Sequence, residues 1–378
     1  MMSSKASQTS FSRRSSTMAL AVSEHEAEEA AANHWRPCSL SKQFHSWEAA
    51  NVERIIHQEF HLNDAQIKKL FTFRKQTQNH RHWKAESPYT ALQFLREWRW
   101  KVPAAVKAFD KMIAWRIRNN IDGMTNPQAP HYYQRPQDFA YFPQGILKGT
   151  DRQGNPIYVE RTGATHLHTL LARHGPEQGL QASNCMREMC TTGAWVQEWE
   201  QNAGRGLSGT TTIVDLQGLN RNHMAWSILN LVKDGTKVIQ ANWPCEANRV
   251  IIIRAPALFR YVWSFLKPFL TETVKEMITI CTAADPLPEL AEYVDLDVLP
   301  TCINPDGHGD VVPEFKPIVW EGGPIPPSDS HLAWSPPKRK ASADLTSQTS
   351  LVSSIADSRH WSPQASPRTV TSLGVGSF

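Results

Sequence analysis

Val250-Ile-Ile-Ile253-Arg-Ala-Pro256-Ala-Leu-Phe-Arg-Tyr-Val-Trp263-Ser-Phe-Leu-Lys267-Pro-Phe269 is the stretch that decides how this chain folds. Four consecutive β-branched residues with no polar alternation describe a strand covered on both faces, as parallel strands are. The segment after Pro256 switches to a helical period over 258–270. Leu258, Val262, Phe265, Leu266 and Phe269 share one face, yet Phe259, Tyr261 and Trp263 lie off it, leaving Arg260, Ser264 and Lys267 as a narrow polar stripe. An apolar surface that wide implies either burial on most sides or a helix that moves between protein and lipid.

The same alternation extends outward on both sides. Pro156–Glu160 reads as a short strand, and Thr210–Leu216 as another in which Thr210, Thr212, Val214 and Leu216 share a face. Residues 223–240 carry Ile228, Val232 and Ile239 at helical spacing, and Ile278-Thr-Ile280 follows as a further strand. The β-α-β-α-β order predicts parallel strands with right-handed crossovers. The Thr210/Thr212 pair suits a pocket wall with one polar end, and equally an ordinary strand. Before this α/β body the pattern is helical. Ser87-Pro88 forms a predicted N-cap with proline at the first helical position, followed by Leu92 and Leu95. Pro103 opens a helix with Val106, Phe109, Ile113 and Ile117 on one face, ended by Asn120 and Gly123. Ile55-Ile56, Phe60, Ile67, Leu70 and Phe71 indicate further helices, making a small all-α unit.

The chain has 378 residues, 40% of them hydrophobic, enough for one or two domains. Its 40 Lys plus Arg against 36 Asp plus Glu leave a net charge of +4, which disfavours dedicated nucleic-acid binding. Six cysteines without a C-x-x-C pair, and no N-x-S/T site, suit a reducing cytoplasm. No apolar run approaches the roughly 18 residues of a membrane span, and Met18–Val22 is too short for a signal-peptide core. Residues 1–34, with eight Ser, read as a disordered tail, and so do residues 322–378, where seven Pro and thirteen Ser fall among 57 positions. Between them lie a helical unit, 35–125, and an α/β domain, 126–321. The conspicuous excess is aromatic, 14 Trp and 14 Phe.

Two motifs fail on physical grounds. Gly204, Gly206 and Gly209 make a G-x-G-x-x-G, but a dinucleotide loop must follow a strand and open a helix so that the helix N-terminus meets the pyrophosphate. Here the loop follows a helical segment ending near Ala203 and leads into the strand at Thr210. The histidines, including His80, His82, His166 and His168, lack any Cys pair or HExxH frame and read as surface or capping groups, so no metal is expected. No nucleophile beside a base is visible, and an enzyme is not expected.

Thr90-Ala-Leu-Gln-Phe-Leu-Arg-Glu-Trp-Arg-Trp100, Ala114-Trp115-Arg116, Gly149-Thr-Asp151-Arg-Gln-Gly154-Asn-Pro156-Ile-Tyr158-Val-Glu-Arg161, Ile213-Val-Asp215-Leu-Gln217-Gly218-Leu, Ile252-Ile-Arg254-Ala255-Pro256 and Lys267-Pro268-Phe269-Leu270 occur in this order. Over about 45–310 the chain thereby resembles the CRAL-TRIO family, which includes phosphatidylinositol/phosphatidylcholine transfer proteins. The resemblance implies an α/β lipid-binding fold in which a parallel-rich sheet floors a hydrophobic pocket, preceded by a helical unit. It also implies a mobile gating helix at about Ala257–Lys267, with Phe259, Val262, Trp263, Phe265, Leu266 and Phe269 as its apolar residues.

Carried over position by position, Tyr158, Thr210 and Thr212 match the family's choline-headgroup residues, and Val214 continues the same face. The inositol positions are altered. Cys245 follows Trp243-Pro244 where the family has Glu, with Glu246 one place late, Met277 stands for a Lys, Arg254 for an Asn, and Arg99 alone survives of a basic pair. A buried inositol phosphate without partners would cost several kcal/mol of desolvation, so weak binding of phosphatidylinositol is expected. The implied function is to bind one lipid, expected to be a phospholipid, and to exchange or present it at membranes. Such a protein would be a cytoplasmic monomer that touches membranes transiently and needs no cofactor beyond its lipid. A lipid-sensing adaptor that binds partners through its Ser/Pro-rich tails is the alternative.

Overall fold

Side-chain capping sets where two of the four front helices begin. In the computed structural model, which describes residues 40–126, 129–134 and 136–315, α1 (Ala49–Arg54) continues into a π-helical turn, Ile55–Glu59. Helix α2 (Asp64–Thr77) starts at a capping box in which Asn63 accepts from the Gln66 backbone and Gln66 reaches back. Helix α3 (Pro88–Glu97) is capped by Ser87 with Pro88 in its first turn, and α4 spans Val102–Arg118. Their apolar faces meet in one core around Leu70, Phe73, Leu92, Leu95 and Phe109. The predicted tails, 1–34 and 322–378, lie outside the described residues.

The body contains five strands: β1 (Gln144–Thr150), β2 (Pro156–Glu160), β3 (Thr210–Asp215), β4 (Ala247–Ile253) and β5 (Ile278–Ile280). They lie in sequence order in one sheet, β1 antiparallel to β2 and every other pair parallel. Helices α5 (Leu167–Thr192) and α6 (Trp195–Ala203) connect β2 to β3, and α7 (Trp226–Asn242) connects β3 to β4. Helix α8 (Phe259–Leu266), a 3-10 turn at Lys267–Phe269 and α9 (Glu272–Met277) lead to β5, and α10 (Leu287–Leu290) follows. Crossovers between parallel strands are right-handed in nearly all proteins. A sheet whose parallel strands follow chain order therefore gathers its crossover helices on one face.

Register identifies that face. Ile146, Tyr158, Thr212, Val250 and Ile278 form one cross-strand row, and Gln144, Glu160, Val214, Ile252 and Ile280 the next. The Arg187 guanidinium of α5 sits 5.3 Å over the Tyr158 ring, so the helices cover the face carrying these rows. The opposite face, with Val159, Ile213, Ile251 and Ile253 fully buried, joins a core that includes Leu290, Val294, Leu299 and Phe315 of the C-terminal segment. Arg249 on that face lies 4.1 Å over the ring of Tyr293.

Two elements escaped the sequence reading. Strand β1 carries two glycines, which weaken its strand pattern. Helix α5 is broken at Gly175, with φ of 77°, just before Pro176, and both residues read as loop punctuation. The signal that could have found it is Ala182, Cys185, Met186 and Met189, spaced by three and four, of which the first three are buried.

Candidate functional site

The pleat brings Tyr158, Thr210, Thr212 and Val214 to the helix-covered face, as the strand reading required. The two threonine hydroxyls are 3.1 Å apart and buried. The Tyr158 hydroxyl donates to Gln144 Oε1, and burial pushes its pKa well above the ordinary phenol value. Above it, Arg187 pairs with Glu246 at 3.0 Å. Burial works against the Arg187 charge but is outweighed by Glu246, leaving the guanidinium more basic than usual. Burial raises the Glu246 pKa despite Arg187, and its Oε2 has no hydrogen-bond partner. This end of the sheet is thus polar and strongly charged inside. Its geometry rests on Arg187, which the sequence reading did not single out. Arg187 lies on the helix hidden behind Gly175-Pro176.

The polar end gives way to an apolar strip. On β3, β4 and β5 the same face presents Val214, Val250, Ile278 and Ile280, all half-buried. Alongside lies α8, whose Phe259, Val262, Trp263, Phe265 and Leu266, followed by Phe269, are likewise half-buried; no residue of the helix is fully covered. Phe265 meets Trp226 of α7 at 5.4 Å and Phe269 at 5.7 Å. Trp226 itself is 67% exposed, unusual for an indole and favourable at a lipid-water boundary. Among the described residues, every hydrogen bond and ion pair of 257–268 is made within 256–270. The helix is held by apolar contact alone.

The remaining expected residues lie elsewhere, each committed to a partner. Arg99 is exposed and pairs with Glu276 of α9 at 2.6 Å, away from the strip. Arg254, with φ of 52°, donates to both oxygens of buried Asp215 at 2.9 and 2.6 Å and to the Cys302 carbonyl. It fastens the strand ends where the gate begins. The Cys245 thiol faces Glu97 Oε2 at 3.6 Å, and burial pushes it up to about 12.

Glu97 is itself buried, and desolvation raises its pKa although Thr271 and Cys245 offset part of the cost. A carboxyl raised on folding destabilises the native state at pH above its folded pKa, and this penalty vanishes below its unfolded pKa. This group should therefore add to wild-type stability on acidification from neutral pH toward the ordinary glutamate range. Glu97→Gln should melt higher at neutral pH and lack that part of the gain, as thermal melts across this range would show.

Deeper still, Arg116 is fully buried between two carboxylates. Its Nη2 donates to Asp122 Oδ1 at 2.7 Å and Glu188 Oε1 at 2.5 Å. The indole N–H of Trp83 donates to Asp122 and that of Trp243 to Glu188, and both rings flank the guanidinium. This cluster ties α4 of the helical front to α5 and to the turn after α7. Nearby, a cavity of about 40 Å³ is lined by Lys84, Ser87, Thr210 and Glu246. That is far below the several hundred Å³, roughly 300 or more, that a lipid-sized ligand needs.

The glycine loop has a structural role. Gly204 ends α6 in the left-handed conformation, φ 66°, and the Gly206 N–H donates to the Tyr89 hydroxyl, leaving no room for a side chain. Among the described residues, no three His, Cys, Asp or Glu side chains are placed to hold a metal, and no helix is long and apolar enough to cross a membrane.

A parallel-rich sheet with its crossover helices gathered on one face, beside an apolar strip and an apolar helix without outside polar links, is the α/β architecture expected from the sequence. Residues 144–304 match the CRAL/TRIO domain family, so this chain carries a CRAL/TRIO domain over that stretch. It is 24% identical over 287 residues to a CRAL-TRIO domain-containing protein of Caenorhabditis elegans, covering 73% of this chain and 38% of that one. It is 28% identical over 191 residues to the phosphatidylinositol/phosphatidylcholine transfer protein SFH9 of Arabidopsis thaliana, covering 48% of this chain and 31% of the relative. The chain thus spans well under half the length of these relatives. The crystal structure of Sfh5 superposes with a TM-score of 0.45 and 14% identity, covering 60% of this chain and 83% of that chain.

Proposed function

We propose that this chain binds one phospholipid along the apolar strip of β3–β5, under α8 as a gate, and exchanges it at membranes as a cytoplasmic monomer. The observation that carries this reading is α8 itself: apolar nearly all round, without a buried residue, and beside a sheet face whose apolar side chains stay half-accessible. Covering that surface with acyl chains is worth about 0.8 kcal/mol per methylene. The same surface suits transient insertion into a bilayer, with Arg260 and Lys267 toward anionic headgroups. Exchange of this kind calls on no catalytic group.

The headgroup lies toward Tyr158, Thr210 and Thr212. Phosphatidylinositol is a poor ligand in this reading, because Arg99, Glu246 and Arg254 are each held in an ion pair and Cys245 supplies no charge. The test is transfer of fluorescent phosphatidylcholine by the full-length chain from donor to acceptor vesicles. Catalysed transfer is expected. Binding without transfer contradicts exchange and favours the lipid-sensing adaptor.

A further inference from the structure

Residues 257–268 form no polar link beyond 256–270, so a body that moves there is bounded by the first such links on either side. On the N-terminal side the link is Arg254, held by Asp215 and the Cys302 carbonyl. On the C-terminal side it is one side chain, Gln240 of α7. Gln240 Nε2 donates to the Phe269 carbonyl at 3.0 Å, and its Oε1 accepts from the Thr271 N–H at 2.7 Å. The two bonds bracket Leu270, which is extended, much as a neighbouring strand would.

Gln240 is also oriented from its own helix. Nε2 also donates to the Thr236 carbonyl, one turn back, at 3.2 Å, so every hydrogen of the amide is engaged. Lys233 and Lys237, on the same stripe of α7, place their ammonium groups 5.8 and 5.1 Å from the Phe269 ring centre. Beyond the clamp, Thr271 caps α9 by accepting from Val274, and Thr273 donates to the Glu97 carbonyl of the helical front. The clamp therefore separates a segment without polar anchors from one that is docked. Packing alone would ask only for an apolar residue at 240, whereas an amide with both ends engaged fixes a particular backbone register.

We propose that Gln240 is the positioning residue of the gate, fixing the pivot at Leu270 about which α8 turns while α9 stays docked. This rests on the exchange function proposed above. With the clamp gone, the hinge frays, the gate opens more often and bound lipid leaves faster.

The test uses Gln240→Met and Gln240→Glu in the full-length chain. It reads Thr271 amide hydrogen exchange, transfer of fluorescent phosphatidylcholine between phosphatidylcholine vesicles, and melting temperature. Gln240→Met should speed Thr271 exchange about fivefold or more, as expected for loss of one hydrogen bond from a locally opening segment. Its transfer rate should rise severalfold while its melting temperature moves little, a split that a purely structural role would not produce. Gln240→Glu keeps the acceptor and should retain Thr271 protection. Unchanged Thr271 exchange in Gln240→Met, or transfer equal to or slower than wild type, overturns the pivot. A wild-type chain that moves no lipid overturns the exchange function instead, and the Thr271 result then decides the clamp by itself.

Discussion

Phe265→Asp is expected to cut vesicle-to-vesicle lipid transfer by about tenfold or more while leaving the fold intact. An aspartate at the centre of a membrane-embedded helix costs roughly 2.5–3.5 kcal/mol, or about a hundredfold in partition, and somewhat less nearer the interface. Phe265 lies where that cost applies if α8 enters the bilayer, beside exposed Trp226 and half-buried Phe269. Because Phe265 is itself only half-buried, the carboxylate stays hydrated in the closed protein, and the melting temperature should fall by no more than a few degrees. Phe265→Leu, which keeps an apolar side chain, should transfer at a near-normal rate. Equal transfer by wild type and Phe265→Asp would show that α8 does not meet the membrane.

The second large effect is on stability. Arg116→Met removes the cation that hydrogen-bonds both Asp122 and Glu188, leaving two carboxylates short of their main counter-charge in a site with almost no solvent access. Breaking a buried pair from one side costs about 3–5 kcal/mol because the remaining charge is uncompensated. Urea unfolding should show that loss, close to the whole stability of many domains. Arg116→Lys should recover part of it. It restores the charge but not the fork that reaches both carboxylates. An unfolding midpoint within error of wild type would mean that the cluster adds no net stability.

Legibility in the sequence followed how local each signal is. The run Val250–Ile253 and the helix after Pro256 were readable because period and composition belong to the segment itself. Ser87-Pro88 was readable because a cap is a short-range hydrogen bond, here from Thr90 N–H to the Ser87 hydroxyl. The rejection of the Gly204 loop rested on element order, and α6 ends at Ala203 with β3 starting at Thr210.

The side chains expected around the headgroup divide along the same line. Tyr158, Thr210, Thr212 and Val214 share a face by strand alternation, which the sequence encodes. Arg99, Arg254, Cys245 and Glu246 depend on partners far along the chain: Glu276, Asp215, Glu97 and Arg187. Nothing in the spacing of one sequence reveals such pairs. For that reason Arg187, which lies over Tyr158, went unnoticed although it defines the polar end of the site. The Arg116 cluster was hidden for the same reason, its members coming from positions 82 to 243. The aromatic excess did have a legible half. Trp226, Trp263, Phe259, Phe265 and Phe269 gather around α8, the proposed gate, whereas Trp83 and Trp243 are consumed inside as partners of buried carboxylates.

The most direct measurement is native mass spectrometry of the full-length chain purified under mild conditions, followed by identification of whatever is released. A single bound phospholipid per chain is predicted, with phosphatidylinositol a minor species at most. A chain that carries no lipid and takes none up from phosphatidylcholine vesicles would contradict the account. A chain loaded mainly with phosphatidylinositol would show instead that the ion-paired charges of Glu246 and Arg254 rearrange to meet a headgroup.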